Sequence, residues 1–399
     1  MTLPRPAKRT EHAAAPQRRA RIAASAFFSL LGVSVSTWSA LVPATKSRLA
    51  LSDAGLGAVL LAFGAGTIAS TLVAGWLVGR HGSRRVLVLS SALLSLCLPL
   101  LALAPSVVTL ASLLFAFGAC VGLAGVAANA HAITLQTRVG RPLMSSLHAM
   151  FSVGGLAGAS ACSLLMRAGL SGAASALLVM IALLALVFTQ RTRLVADLAA
   201  VRSADDGASG QRSRIPPLAI LVVGAMTFAL YLSEGAVLDW GAVFLHEARG
   251  YDVATAALGY AAFSIMMAIG RAFGDRVVAR VGTVTVVRAG ALLAAGGFLT
   301  MVLAPAPSLG LVGCALIGLG ASNVVPTLIS ASARVSSLPT GAAVSTVVAM
   351  GTTGLIAGPA LIGFLAQQTS LGAALSGLAV LLLGVGAAAG MVRTRRTAA

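Results

Sequence analysis

Two carboxylates lie within one long apolar stretch of this 399-residue chain, Glu234 and Asp239. A carboxylate at the centre of a hydrocarbon layer costs about 2.5–3.5 kcal/mol on one scale, so it persists where it faces a cavity, a partner or water. The two acids lie about 140° apart around a helix, so they cannot point at one spot. Glu234 is therefore predicted either to exchange protons and bind a solute or to bond a neighbouring helix. Asp239 is interpreted as a residue at the membrane boundary, and a role in binding a solute or a proton is the alternative.

Three other polar side chains interrupt apolar stretches and are candidates for the lining of a solute cavity. Asn129 ends a stripe of small residues, where it either bonds across two helices or contacts a solute. Asn323 precedes Pro326, which frees a backbone carbonyl for a ligand or bends the helix. The imidazole of His148 titrates near about pH 6.5 when unperturbed, which suits proton transfer, although a structural hydrogen bond is the more common role of a lone histidine.

Two tryptophans complete the candidate residues, Trp38 and Trp240. An aromatic belt at the membrane interface is the simpler interpretation, and stacking on a flat or sugar-like solute is the alternative. The four cysteines fall inside apolar stretches at no spacing that suits a metal ion. The sequence also contains no Ser/His/Asp set and no phosphate-binding loop. We therefore expect no enzyme activity, no metal and no cofactor.

The composition identifies the elements that must position these residues. Only 10% of the residues are charged and 58% are hydrophobic, whereas a soluble domain has roughly 25% charged residues. So few polar residues cannot cover a water-soluble globule, which excludes a cytoplasmic enzyme, a secreted disulfide scaffold and a disordered chain. Alanine, valine and leucine dominate the apolar runs, with glycines at helical spacing, and this favours an all-α membrane protein.

The stretches without a charged residue predict twelve transmembrane helices. Six runs are one span long, and three are of double length with turn residues near the middle, at Pro105-Ser106, Pro305–Ser308 and Gln367–Ser370. The runs are 22–43, 54–79, 86–137, 142–166, 168–190, 215–233, 253–270, 289–333 and 335–392.

The basic residues predict the orientation of the chain. A net charge of +18 would be compatible with a nucleic-acid partner, but 24 of the 28 Lys and Arg residues fall in the two tails and in alternate loops. Positive residues resist translocation, so this distribution predicts both termini in the cytoplasm of a bacterial inner membrane and no nucleic-acid partner. Some of these loops are also expected to touch anionic lipid head groups.

An internal repeat divides the twelve spans into two pseudo-symmetric bundles of six. Ser145, Ala149, Met150, Gly154 and Gly158 recur 200 residues later as Ser345, Ala349, Met350, Gly354 and Gly358. Copies of equal orientation are expected to enclose a cavity at their interface and to rock for alternating access. The predicted parts are a disordered basic tail (1–21), the first bundle (22–190), a cytoplasmic linker (191–214), the second bundle (215–392) and a cytoplasmic tail (393–399).

The sequence from Ile22 to Met391 resembles the major facilitator superfamily. The segment from Gly75 to Arg85 is similar to the loop motif between spans 2 and 3 of that family, and Gly270–Arg276 is its counterpart after span 8. The resemblance implies that these loops lock a cytoplasmic gate through a carboxylate and basic residues. Gly79 occupies the usual aspartate position in the first copy. The gating candidates are Arg80, Gly82, Arg84, Arg85, Arg271, Asp275 and Arg276, although Arg271 is also interpreted as a side chain that snorkels to the membrane surface.

The resemblance carries two further implications. Glycine-rich segments of spans 5 and 11, at Gly154/Gly158 and Gly354/Gly358, are expected to be close-packing points, and in the family such helices form the sliding interface between the halves. The segments Glu234–Trp240, Asn129–His148 and Asn323–Pro326 are similar to a bacterial branch distantly akin to sugar permeases, whose substrates are mostly unassigned.

We therefore predict a secondary active transporter of a small organic solute, monomeric in the bilayer and coupled to an ion gradient, with protons as the expected ion. A non-transporting membrane receptor or scaffold on a transporter fold is the alternative.

Overall fold

A computed structural model of the chain describes residues 9–51, 53–196, 218–251, 253–303, 306, 309–336 and 338–392. Within these ranges it contains thirteen α-helices and a short 3₁₀-helix, and it contains no strand there. The helices are α1 (Arg9–Arg48), α2 (Asp53–His81), α3 (Ser83–Leu103), α4 (Val107–Val139), α5 (Met144–Arg167), α6 (Gly172–Gln190), α7 (Leu218–Glu247), α8 (Val253–Val281), α9 (Thr283–Leu303), α10 (Leu309–Ala321), α11 (Val324–Val335), α12 (Thr340–Gln368) and α13 (Leu371–Ala388), followed by the 3₁₀-helix Ala389–Val392.

Eleven helical segments in the described part of the chain are long and apolar enough to cross a membrane. One of them, Leu309–Val335, contains both α10 and α11, which are therefore two halves of a single span. The remaining long helix, α8, has 29 residues but carries four charged side chains toward its end. Counting α8, the described residues form twelve membrane-length segments, and the predicted all-α membrane fold is confirmed.

The turn residues inside the double-length runs end and start helices as predicted. Ser106 caps α4 by accepting a hydrogen bond from the Thr109 N–H, and Ser370 caps α13 by accepting one from the Ala373 N–H. Most of the remaining predicted turn, at Pro305–Ser308, lies outside the described residues. The C-terminal tail 393–399 and most of the predicted linker also lie outside them.

The first helix begins earlier than the sequence indicates. It starts at Arg9, and its membrane-length part runs from Pro16 to Val42. This corrects the predicted start of the helix, because the described residues 16–21 of the expected disordered tail are helical. Alanine and arginine, which are common in this segment, are both good helix formers.

The described residues form two compact units. The first contains those of Met1–Ser70, Arg80–Arg141 and Met150–Gly207, and α3 packs there against α1, α4 and α6. The second contains those of Ala208–Ala399, in which α7 packs against α8 and α12. Two short segments from earlier in the chain also belong to the second unit, Thr71–Gly79 and Pro142–Ala149.

Equivalent glycines allow equivalent helix contacts in the two units. A Cβ at Gly118 of α4 would overlap with the Phe63 carbonyl oxygen of α2. A Cβ at Gly318 of α10 would overlap with the Phe263 carbonyl oxygen of α8. Both pairs are related by the 200-residue repeat, so the two halves use the same close backbone approach at the same place.

The glycines of spans 5 and 11 are close-packing points, as predicted. In the first unit, Gly154 of α5 lies against the backbone of Ser29 on α1. In the second unit, Gly354 of α12 lies against the backbone of Phe228 on α7. These glycines therefore join helices of one unit, and the sliding interface between the halves that the resemblance implies stays a prediction.

Candidate functional site

The break between α10 and α11 is the starting point of the candidate site. Pro326 has no N–H group, so the carbonyl oxygen of Ser322, four residues earlier, has no donor within the helix. The Nε of Arg271 on α8 donates a hydrogen bond to this oxygen at 3.4 Å. Arg271 thus bonds a carbonyl group at the break in a neighbouring span, and the interpretation that it snorkels to the membrane surface stays a prediction.

Asn323 connects the same break to α8. Its Nδ2 donates hydrogen bonds to the Gly270 carbonyl oxygen at 2.9 Å and to the Ser322 Oγ at 3.0 Å. A Cβ at Gly270 would overlap with the Ser322 Oγ, and a Cβ at Gly274 would overlap with the Asn323 Oδ1. Gly270 and Gly274 therefore form a groove on α8, and the side chains at the break lie in this groove.

Glu234 lies on α7, which packs against α8. Its carboxylate interacts electrostatically with the guanidinium of Arg271. Tyr231 precedes Glu234 by one helical turn, so both lie on one face of α7, and the Tyr231 hydroxyl interacts with both charges. All three side chains are half-buried. An opposite charge nearby reduces the cost of each charge inside an apolar span.

The start of α5 approaches α8 on the same side. The Oδ1 of Asp275 accepts a hydrogen bond from the Ser145 N–H at 2.9 Å, and its Oδ2 accepts one from the Ser146 N–H at 3.1 Å. A carboxylate of α8 thus replaces the missing side-chain cap of α5 and lies at the positive end of that helix. His148, one turn further along α5, is half-buried and also lies in the field of Arg271.

We call Tyr231, Glu234, Arg271, His148 and Asn323 the polar cluster. Three of them are solute or proton candidates from the sequence, and Arg271 is a gating candidate whose charge acts on three of the other members. Tyr231 was not predicted. Its spacing of three residues from Glu234 is a signal that the sequence contains, but only the fold shows that the ring lies against Gly351 of α12. The cluster combines a carboxylate, a guanidinium, a phenol, an imidazole and an amide, which can bind a polar solute and transfer protons.

The other candidates for solute binding lie elsewhere. Asp239 is exposed, on a different face of α7 from Glu234. The indole of Trp240 contacts Gly363, and its Nε1 is buried without a hydrogen-bond partner among the described residues. In the first unit, Trp38 is 5% exposed, and the Asn129 Nδ2 donates to the Gly125 carbonyl oxygen of its own helix at 2.8 Å. Their roles in solute binding stay predictions.

The loops that follow α2 and α8 have the same turn. Gly82 and Gly282 both have a φ of +83°, in the left-handed region that favours glycine. Arg80 and Arg276 are exposed side chains near these turns. Arg84 and Arg85 begin α3, and the Nε of Arg84 donates to the Arg191 carbonyl oxygen at 3.0 Å. A gating role of these basic residues stays a prediction.

The two loops differ in how they meet a helix start. By the 200-residue repeat, Gly75 is the counterpart of Asp275. Gly75 lies against the start of α12, where a Cβ would be 2.9 Å from the Ala342 Cα, and the first turn of α12 contains no acidic residue. The end of α2 therefore contacts the start of α12 by close packing at Gly75. The end of α8 contacts the start of α5 through the Asp275 carboxylate.

Comparisons with known proteins agree with this architecture. The sequence model of the Major Facilitator Superfamily matches residues 22–340. The chain is 36% identical over 362 residues to an uncharacterized MFS-type transporter of Yersinia pestis, covering 91% of this chain and 93% of the relative. It is 33% identical over 348 residues to an uncharacterized transporter of Sinorhizobium fredii, with 87% and 91% covered.

Solved structures show the same fold at low sequence identity. The fucose:proton symporter FucP of E. coli superposes with a TM-score of 0.75 at 17% identity, over 94% of this chain and 98% of that one. The proton:xylose symporter XylE superposes with a TM-score of 0.68 at 15% identity, over 94% and 95%. The family match, the relatives and the twelve membrane-length segments lead to one conclusion: the chain belongs to the Major Facilitator Superfamily and is a multi-pass membrane transporter.

Proposed function

We propose that this transporter is a proton-coupled secondary carrier of a small polar organic solute and that the polar cluster is its coupling site. The single observation that carries the proposal is the placement of Glu234 on α7 within the field of Arg271 on α8, next to the break in span 10. Interrupted spans in transporters commonly surround solute and ion sites, because backbone groups there are available to a ligand.

The proposed coupling follows from charge balance. With Glu234 ionised, its charge and that of Arg271 compensate each other inside the apolar span. When Glu234 takes up a proton, Arg271 loses this part of its charge compensation, which is costly at this depth. An acidic or strongly hydrogen-bond-accepting solute then restores the balance. Proton uptake and solute binding therefore favour one another, which is the condition for symport.

The other members of the cluster have supporting roles in this proposal. The Tyr231 hydroxyl and the Asn323 amide offer hydrogen bonds to hydroxyl or carbonyl groups of the solute. His148 provides a second group that can carry a proton. The fucose:proton symporter FucP and the proton:xylose symporter XylE share the fold, and this supports proton coupling as the mode of energy supply.

The proposed orientation places both termini in the cytoplasm of a bacterial inner membrane. It is supported by the sequence, in which 24 of the 28 basic residues fall on one side, in the tails, the alternate loops and the helix segments next to them. In this orientation the starts of α3, α5 and α12 face the cytoplasm. Alternating access to the polar cluster then moves the solute across the membrane.

A two-stage experiment tests the proposal. A panel of sugars, organic acids and amines is first screened for compounds that raise the melting temperature of the purified protein, since a ligand of the folded state stabilises it. Radiolabelled hits are then assayed in proteoliposomes with an imposed pH gradient. We expect the wild-type protein to accumulate a hit when the outside is acidic. Glu234→Gln is expected to exchange the solute at equal concentrations but to lose accumulation.

The matched control is Asp239→Asn, which removes an exposed carboxylate from the same helix and should preserve accumulation. Uphill transport by Glu234→Gln with the wild-type dependence on the pH gradient would show that Glu234 does not couple proton and solute movement.

A further inference from the structure

A basic cavity lies in the first unit, away from the polar cluster. It measures about 580 Å³ and is lined by Arg84, Arg85, Val88, Leu89, Arg191 and Thr192. Three of these six residues are arginines, and none of the described lining residues is acidic. We call it the arginine cavity, and we propose that it binds the phosphate head group of an anionic phospholipid.

The cavity is built where the first turn of α3 meets the end of α6. The Nε of Arg84 donates to the Arg191 carbonyl oxygen at 3.0 Å, which holds the two helix ends together. The guanidinium of Arg191 lies 4.4 Å from the ring centroid of Phe188. Stacking of this kind orients an arginine, so the charge of Arg191 is positioned before a ligand arrives.

The backbone adds to the positive field of the side chains. α3 begins at Ser83, its capping residue Gly82 makes no side-chain cap, and its first turn contains no acidic residue. The N–H groups of a helix start attract anions. In the absence of an anion, the positive charges of Arg84 and Arg85 lie at the positive end of the helix dipole, which is unfavourable. A phosphate removes the repulsion and matches the forked geometry of guanidinium groups.

The apolar surroundings favour a lipid over a soluble anion. Leu89 in the cavity wall is 65% exposed, and Leu93, Leu96 and Leu100 continue an exposed apolar stripe along α3. Phe188 of α6 is also 65% exposed beside Arg191. A phosphate in the cavity therefore lies at one end of an exposed apolar surface, and the acyl chain of a lipid can pack along that surface. Under the proposed orientation this surface lies in the cytoplasmic leaflet, where basic pockets between helices bind anionic lipid head groups.

The test measures lipid binding to the purified wild-type protein by native mass spectrometry. We expect phosphatidylglycerol and cardiolipin to remain bound at collision energies that remove phosphatidylcholine, and the double variant Arg85→Gln/Arg191→Gln to lose this preference. The expected loss of affinity is roughly fivefold for each arginine, since one basic residue near an anionic surface contributes about that factor. Arg280→Gln, an exposed arginine at the end of α8, is the matched control and should behave like the wild type.

Further arms distinguish the sources of phosphate and guard against a misfolded variant. Inorganic phosphate at millimolar concentration should not displace the lipid, and complete displacement would identify a soluble-anion site and overturn the proposal. Phosphatidylglycerol with a photoreactive acyl chain should crosslink the wild-type protein within 86–103 or 172–190. Crosslinks spread evenly over α8 and α9, or equal retention of phosphatidylcholine, would also overturn it. This arm needs no variant, and it is independent of solute transport, so its failure leaves the proposed function unaffected.

Discussion

The Nε of Arg271 lies 3.4 Å from the carbonyl oxygen of Ser322, and this pair joins α8 to the break in span 10. The oxygen is available because Pro326 has no N–H group to donate to it. One side chain thereby serves two purposes, since the same guanidinium also lies in the field of Glu234. The stability of the break and the charge balance of the polar cluster are therefore coupled through Arg271.

Replacement of Arg271 separates these two contributions. Arg271→Gln removes the charge and leaves a partly buried carbonyl without its donor, so we expect a loss of about 1–3 kcal/mol in stability. Arg271→Lys keeps a positive charge but lacks the fork of the guanidinium. Thermal melting of the two variants should show a smaller loss for the lysine than for the glutamine. Equal melting temperatures of Arg271→Gln and the wild type would contradict a structural role of this hydrogen bond.

The fit of side chains in the groove on α8 can be tested with one glycine substitution in the groove and one control substitution on α2. In Gly274→Ala the new methyl group overlaps with the Asn323 side chain, and overpacking of this kind costs about 1–3 kcal/mol. In Gly79→Ala, near the end of α2, the new Cβ meets no atom within 4 Å. Alanine is the better helix former by up to about 1 kcal/mol, so this control should be neutral or stabilising. Melting temperatures that fall by the same amount in both variants would argue against a specific fit at the break.

The cap that Asp275 provides to α5 is the third target. Asp275→Asn keeps one acceptor oxygen but loses the charge at the positive end of the helix, which should cost about 1 kcal/mol. If this contact holds a cytoplasmic gate closed, the variant should open to the cytoplasm more often. Cysteines introduced near the start of α5 should then react faster with a membrane-impermeant thiol reagent in inside-out vesicles. An unchanged labelling rate, with Asp239→Asn as the control, would restrict Asp275 to a local capping role.

The charge balance proposed for Glu234 predicts the sign of a pH effect on solute binding. Protonation of Glu234 removes the negative charge that compensates Arg271, so an anionic solute should bind more tightly as the pH falls. By reciprocity, solute binding should draw a proton from the buffer. Isothermal titration in buffers of different ionisation enthalpy measures this proton directly. Glu234→Gln should bind the solute with an affinity that no longer depends on pH, and a steep dependence that survives in this variant would place the proton site on another residue.

Most helix boundaries and the internal repeat could be predicted from the sequence. The apolar runs and the turn residues Ser106 and Ser370 located most helix boundaries, because solvation by lipid and helix capping depend on residues close in sequence. The repeat was also visible in sequence, and the matching contacts Phe63–Gly118 and Phe263–Gly318 agree with it. The start of α1 differs from the prediction, because arginine and alanine, which are common before Ile22, both favour a helix.

Other relationships required the fold. The sequence places Glu234, His148 and Asn323 in three different spans, and no local pattern states that Arg271 lies among them or that Tyr231 belongs to the same face. The glycines of spans 5 and 11 were predicted to be close-packing points, but their partners Ser29 and Phe228 were not predicted, for the same reason. A glycine indicates that a helix approaches closely, but it does not identify which helix.

The sequence by itself thus determined that this protein lies in a lipid bilayer. It also determined the approximate positions of the spans, the twofold internal repeat and the residue types available for chemistry. These properties follow from hydropathy, charge and turn preference, which act over a few neighbouring residues. Only the tertiary structure decided that Arg271 bonds Ser322, that Asp275 caps α5 and that three arginines surround one cavity. Such contacts join residues that are tens or hundreds of positions apart, and they depend on how whole helices pack in three dimensions.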